Sequence, residues 1–222
     1  MNMEKVYLDE KLWYIDNFLS QEELDWFKPF LDDPKDWYTT MRSPYKNILN
    51  KFLGAHVEYD AQGNVIVPTS ATPYELLNIF ANPQGGIWDR LHQVLPKTYH
   101  QHTGVQTFKY VPIDQIDYLL RDDLKQLGGT IDYAMDWHSE RPDRDNLSAS
   151  FSIYLNDDFE GGELEFKYKD IKLKPKAGTL VCIPVGDEYT HRVNIVLSKD
   201  RHTLYGNCWL DNNVPESTPE DC

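Results

Sequence analysis

From about residue 150 the chain alternates. Phe151, Ile153 and Leu155 are apolar, while Ser150, Ser152 and Tyr154 between them carry hydroxyls. Leu164, Phe166 and Tyr168 alternate in the same way with Glu163, Glu165 and Lys167. A period of two places successive side chains on opposite faces of a strand, so each run has one face for a core and one for something polar. Further short runs follow over Lys172 to Lys174, Thr179 to Val185, His191 to Leu197 and His202 to Leu210. Between them stand turn formers: Asn156-Asp157-Asp158, Gly161-Gly162, Lys176-Ala177-Gly178 and Ser198-Lys199-Asp200. Many short strands so punctuated predict an antiparallel sandwich or barrel.

The first half has a different period. Ser20-Gln21-Glu22-Glu23 is a capping box, in which serine and the glutamate three later satisfy free backbone N–H groups, and Leu24, Phe27 and Leu31 follow at helical spacing. Thr72-Pro73-Tyr74-Glu75 starts a second helix, with proline at the tolerated first position. Ile87, Leu91, Val94 and Leu95 mark a third, stopped by Pro96, and Asp117 to Leu127 a fourth, closed by Gly128-Gly129. No linker composition appears near residue 130. The expectation is therefore one α+β domain over 1–222, with helices packed on a β-core and a polar, frayed tail at 211–222.

Two histidines and a carboxylate form the ligand set of a mononuclear non-haem iron(II) centre with open coordination positions. His138 and Glu140 are spaced as i and i+2, which on a strand aims both at one face. His191 lies several strands downstream. Arg201 follows it by a strand and a tight turn, and a fixed cation beside such a centre points to an acidic co-substrate.

Charge narrows the partners. The formal net charge of −14 disfavours nonspecific attraction to nucleic acid or anionic membrane. Hydrophobic residues, 41% of the chain, suffice for a real core. Cys182, Cys208 and Cys222 form no metal-binding spacing and read as free thiols of a reducing compartment. The charged N-terminus holds no apolar signal core, and no stretch approaches the ~20 apolar residues of a membrane span. A cytoplasmic protein without a membrane partner is expected.

The ordered pieces from Trp137 to Trp209 resemble the 2-oxoglutarate- and Fe(II)-dependent dioxygenase superfamily, most of all its prolyl 4-hydroxylase branch. They are His138-x-Glu140, Tyr154-Leu155-Asn156, Gly161-Gly162-Glu163-Leu164-Glu165-Phe166, Lys174-Pro175-Lys176-Ala177-Gly178, His191-Arg192-Val193, Arg201 and Trp209. Ile15 to Ser20, followed by an acidic helix, resembles the opening of that family.

The resemblance implies a double-stranded β-helix (jelly-roll) core over 137–210 and a helical and strand support region over 1–110 packed on one sheet; Gly128-Gly129 can act as a hinge, so the insertion over 111–136 is expected to be a lid over the substrate mouth. The resemblance also implies His138, Glu140 and His191 as iron ligands. Arg201 would pair with the distal carboxylate of 2-oxoglutarate, with Tyr154 hydrogen-bonded to the same group. The cofactors implied are Fe(II) and 2-oxoglutarate, with ascorbate as a support. The reaction implied is hydroxylation of an unactivated C–H bond with O2, giving succinate and CO2. A prolyl residue in a peptide or protein is the favoured substrate. A free amino acid or nucleobase stays open, as does a non-catalytic metal-binding jelly roll.

The chain departs from the family pattern in three places. Glu140 stands where aspartate is usual. Trp209 lies two residues further from Arg201, with parity kept. An insertion separates Tyr110 from Trp137.

Other residues compete for attention. His100-x-His102 has strand spacing but no convincing third ligand. His202 should pack on the face opposite Arg201, and Asp136 should face away from the ligands. Arg141 and Arg144 read as a solvated loop. Trp137 and Tyr133 could line a substrate channel or fill core.

Overall fold

The computed structural model describes residues 3–35, 37–39, 48–52, 58–59, 65–66, 85–95, 106–116, 133–140 and 147–209. The helices expected at Thr72 and over Asp117 to Leu127, the His100/His102 pair, Arg141, Arg144, Cys222 and the tail lie outside the described residues.

Among those residues the strands come in chain order as β1 (Val6–Tyr7), β2 (Trp13–Ile15), β3 (Tyr38–Thr39), β4 (Ile48–Phe52), β5 (Glu58–Tyr59), β6 (Val65–Ile66), β7 (Gln106–Tyr110), β8 (Tyr133–His138) and β9 (Leu147–Tyr154). Then follow β10 (Glu160–Gly161), β11 (Leu164–Phe166), β12 (Lys172–Leu173), β13 (Leu180–Pro184), β14 (His191–Asn194), β15 (Val196–Ser198) and β16 (Arg201–Trp209). Two helices are described, α1 (Gln21–Asp32) and α2 (Ile87–Val94). Neither is long and apolar enough to cross a membrane.

A large antiparallel sheet runs β1-β2-β13-β9-β16-β7-β4-β3, and a small one runs β12-β11-β14-β8. Jumps such as β9 between β13 and β16 are the crossovers of the expected double-stranded β-helix. The alternation read in the sequence decides which side of the large sheet meets what. Phe151, Ile153, Leu155, Leu180, Cys182, Leu204 and Cys208 pack with Leu24, Phe27 and Phe30 of α1 and Ile87, Leu91 and Val94 of α2. The opposite face contributes Ile48, Phe108, Tyr110, Tyr154, Val181 and Ile183 to a second core, shared with Ala134, Leu164, Phe166 and Val193 of the small sheet. The large sheet is thus sandwiched, helices outside and small sheet inside. A fully buried Leu or Phe in either core is worth ~1.5–3 kcal/mol relative to exposure.

Both helix ends are tied down. The capping box of α1 is formed: Ser20 Oγ accepts from Glu23 N at 3.2 Å, and Glu23 Oε2 accepts from Ser20 N at 2.8 Å. Glu23 also pairs with the buried Arg90 of α2, whose guanidinium donates to Phe18 O at 2.8 Å. Buried Lys51 of β4 donates to Phe30 O at 2.8 Å and Asp33 O at 3.1 Å, at the C-terminal end of α1. A cation there satisfies carbonyls that have no partner within the helix. Cys182 and Cys208 are free and buried, and desolvation pushes the Cys182 thiol up to about 12.

The sequence predicts one strand over His191 to Leu197; the structure divides it at Ile195 into β14 and β15. The cause is the Gly161-Gly162 pair. Gly162 N donates to Ile195 O at 2.9 Å, and a Cβ on Gly161 would lie 2.1 Å from that same oxygen. Only glycine permits this approach, and both residues have the positive φ (+69° and +66°) that glycine tolerates.

Candidate active site

β8 and β14 pair antiparallel, with His138 directly opposite His191. Their ring centroids are 4.3 Å apart, within reach of a single ion. Each ring is oriented by its own backbone: His138 Nδ1 lies 2.7 Å from Asp136 O, and His191 Nδ1 lies 2.9 Å from Tyr189 O. A carbonyl oxygen only accepts, so Nδ1 carries the proton and Nε2 keeps a free lone pair. Ligating histidines are held in this way in metal sites. Desolvation, reinforced by the neighbouring His138, pushes the buried His191 down to about 4, so it is neutral near pH 7.

Glu140 is placed differently from the expectation. β8 ends at His138, so Ser139 and Glu140 lie beyond the strand and strand periodicity does not aim the carboxylate. Its Oε2 accepts from Tyr205 Oη at 3.0 Å. Among the described residues, no three His, Cys, Asp or Glu side chains converge as an ion cage. The histidine pair is assembled, and the carboxylate stands to one side, near enough for its charge to act on His191. As a donor set, two neutral imidazoles plus one carboxylate fit a divalent first-row metal such as iron.

Arg201 opens β16, opposite Tyr110 of β7, and is 2% exposed. Its guanidinium lies 4.4 Å from the Tyr110 ring and 4.7 Å from that of Tyr154, and Nη2 donates to Tyr154 Oη at 2.8 Å. Nε and Nη1 are buried with no hydrogen-bond partner. A buried cation whose donors are unmet is costly by several kcal/mol. The planar fork of N–H groups matches a carboxylate in two places, so the cavity calls for an anion. Gly162 makes the space: a Cβ there would lie 3.0 Å from Arg201 Cδ and 3.1 Å from the Phe159 ring.

The wall beside these groups is the hydroxyl face of β9. Across β9 and β16, Tyr154 pairs with Thr203, Ser152 with Tyr205 and Ser150 with Asn207. Ser150 is 1% exposed, and its hydroxyl has no partner. Sequence reasoning passed over Tyr205, although Arg201, Thr203, Tyr205 and Asn207 share one face by parity alone. Tyr110 and Gly162 gave no such signal, because only the sheet order brings them to Arg201.

The remaining candidates sort by face. Trp137 lies under Arg192, 4.5 Å from the guanidinium carbon, and Arg192 pairs with Glu165. Trp137 therefore belongs to a polar-aromatic cluster and not to either core. His202 sits opposite Arg201 in the strand, with its ring 5.9 Å from Trp37. The Asp136 carboxylate accepts from Trp137 N at 2.7 Å and only its carbonyl serves His138.

Residues 125–210, which span all five predicted site residues, match the model of the 2OG-Fe(II) oxygenase superfamily. No curated protein matches the chain. Solved structures share the fold at low identity. A Pseudomonas putida prolyl-4-hydroxylase aligns at TM-score 0.56 and 16% identity, over 91% of this chain and 94% of that one. A Trichoplax adhaerens prolyl hydroxylase, in complex with a hypoxia inducible factor oxygen degradation domain peptide fragment, aligns at 0.56 and 15%, over 90% and 83%. The viral collagen prolyl hydroxylase of Paramecium Bursaria Chlorella virus-1, as its 2OG complex, aligns at 0.52 and 16%, over 91% and 97%.

Proposed function

Taking residues 125–210 as a segment of the 2OG-Fe(II) oxygenase superfamily, whose members use Fe(II) and 2-oxoglutarate, we propose that this chain hydroxylates an unactivated C–H bond of a prolyl residue in a peptide or protein. The observation that carries the co-substrate assignment is the buried Arg201 guanidinium with two nitrogens unmet. The prolyl assignment draws on the prolyl hydroxylases among the structures of like fold, one of which holds a peptide.

In this reading His138 and His191 hold the metal through Nε2, and Glu140 supplies the oxygen ligand. Arg201 binds the distal carboxylate of 2-oxoglutarate, and the Tyr154 hydroxyl, already 2.8 Å from Arg201, turns its hydrogen to the same group. Bound together, Fe(II) and 2-oxoglutarate supply oxidative decarboxylation coupled to oxygen insertion, so that substrate, O2 and 2-oxoglutarate become alcohol, succinate and CO2. The protein orients the reactants and keeps bulk water out. The flanking rings of Tyr110 and Tyr154 shield the Arg201 pocket, which strengthens its hold on a carboxylate.

The insertion over 111–136 is read as a lid on the substrate mouth; its segment 117–132 lies outside the described residues, and Tyr133 to Asp136 belong to β8 of the small sheet rather than to the lid. Its first turn, Ile113–Gln115, rests against β15. Deletion of 117–127 should lower turnover; unchanged turnover would refute the lid.

The function itself is tested with Fe(II), 2-oxoglutarate and a panel of proline-containing peptides and free amino acids, monitored for a gain of one oxygen atom and for succinate. A prolyl peptide product supports the reading. Oxygen gained only by a free amino acid moves the substrate assignment. Failure to bind 2-oxoglutarate with metal present sinks it altogether.

A further inference from the structure

Glu140 is one methylene longer than the aspartate that the family pattern carries, which moves its carboxylate by ~1.5 Å. In the structure that longer arm ends on a specific partner. Tyr205 Oη lies 3.0 Å from Glu140 Oε2 and 2.9 Å from Asn207 Oδ1. A phenol has one hydrogen and cannot donate to both. The two ends of a carboxamide are told apart only by their hydrogen bonds. Turning Asn207 so that its NH2 faces Tyr205 makes the set consistent: Asn207 donates to the phenol oxygen, and the phenol donates to Glu140. The base of this arm is firm. Tyr205 and Asn207 project from one face of β16, and the Tyr205 ring packs 5.5 Å from that of Phe108.

We propose that Asn207 and Tyr205 form a hydrogen-bond relay that positions the Glu140 carboxylate for the metal, with Tyr205 as the positioning residue that the longer glutamate requires. This rests on Glu140 being the oxygen ligand. Without the relay the carboxylate is free to rotate about an additional bond, and ordering it on metal binding costs side-chain entropy. A carboxylate held by a donor on one oxygen offers the other in a fixed direction. Loss of such outer partners typically weakens metal binding about 10–100-fold. An aspartate at position 140, being shorter, would not reach Tyr205, so the relay and the glutamate should matter only together.

The test is a Co(II) titration of the metal-free full-length chain, with affinity and the d–d absorption bands of bound Co(II) as readouts. Tyr205→Phe should weaken Co(II) about 10–100-fold and shift the bands, while thermal unfolding of the metal-free protein stays close to the parent's. Glu140→Asp combined with Tyr205→Phe should bind Co(II) no more weakly than Glu140→Asp alone, because interacting sites are non-additive. Asn207→Ala, which leaves the phenol in place, should move affinity in the same direction by a smaller factor. Unchanged affinity and bands in Tyr205→Phe, or losses that multiply in the double variant, overturn the relay. Glu140→Ala separates the two layers. If it binds Co(II) as the parent does, the ligand assignment falls and takes the relay with it. If it loses Co(II) while Tyr205→Phe does not, only the relay falls.

Discussion

Replacing Arg201 should reduce co-substrate binding severely and cost the metal-free fold little. The useful perturbation is Arg201→Met together with Tyr154→Phe. Arg201→Met alone strands the buried Tyr154 hydroxyl, at ~1–3 kcal/mol, and mixes that cost with the one of interest. In the double variant two terms oppose each other in the metal-free protein. Removing a buried charge with two unmet nitrogens is neutral to stabilising by ~1–4 kcal/mol. Losing the stacking between Tyr110 and residue 154 costs ~0.5–2 kcal/mol per ring. The sum lies within about 4 kcal/mol of zero. Binding of 2-oxoglutarate has no such offset. Two charge-assisted hydrogen bonds at ~1.5–3 kcal/mol each give ~3–6 kcal/mol. That corresponds to a loss on the order of 10²–10⁴-fold in affinity. Calorimetric titration of 2-oxoglutarate into the Mn(II)-loaded protein measures the second quantity, and urea unfolding of the metal-free protein the first. Unchanged 2-oxoglutarate affinity refutes Arg201 as the anchor. A stability loss above about 4 kcal/mol would mean that the fold already satisfies the guanidinium and asks for no anion.

Three further outcomes follow from the same geometry. His191→Ala should abolish Co(II) or Mn(II) binding while leaving the far-ultraviolet circular dichroism unchanged; retained metal binding would remove His191 from the ligand set. Gly162→Ala should cost ~1–2 kcal/mol through its left-handed backbone and push on Arg201 Cδ, raising the 2-oxoglutarate requirement; an unaffected requirement in a folded variant would show that the pocket yields. Burial pushes His202 from 6.5 down to about 4, so the unfolded chain binds the extra proton first, and stability falls as pH drops from about 6.5 to about 4. His202→Leu should lose up to about 3 kcal/mol less over that window in urea unfolding, and an identical pH profile would refute the assignment.

The large-scale design was legible because it rests on local rules. Alternation at 150–155 assigned both faces of β9, and helix packing against Phe151 and Ile153 follows it. The Ser20/Glu23 box placed the start of α1. What escaped the sequence depends on sheet order. Strand spacing joined Glu140 to His138, but the strand stops at His138, and the partner of the carboxylate comes from Tyr205 on another sheet. The break at Ile195 was hidden because Val193, Val196 and their neighbours read as one apolar run. The interrupting agent, Gly161-Gly162, lies more than thirty positions earlier. Arg201 was nameable from its distance to His191; its ring neighbour Tyr110 was not, because only the strand order of the large sheet sets β7 beside β16.

The two histidines take their orientation from the carbonyls two residues before them, of Asp136 and Tyr189, and no substitution of a side chain deletes a carbonyl. That half of the centre is buffered against mutation. Exchanges at Asp136 or Tyr189 that preserve the strand path should leave the ring tautomers as they are. On the proposed ligand set, a change of metal preference in this chain should come from the other half, the carboxylate and the side chains that stand beneath it. In this chain a search for altered metal preference should begin with libraries at positions 140, 205 and 207 and leave the histidine surroundings alone.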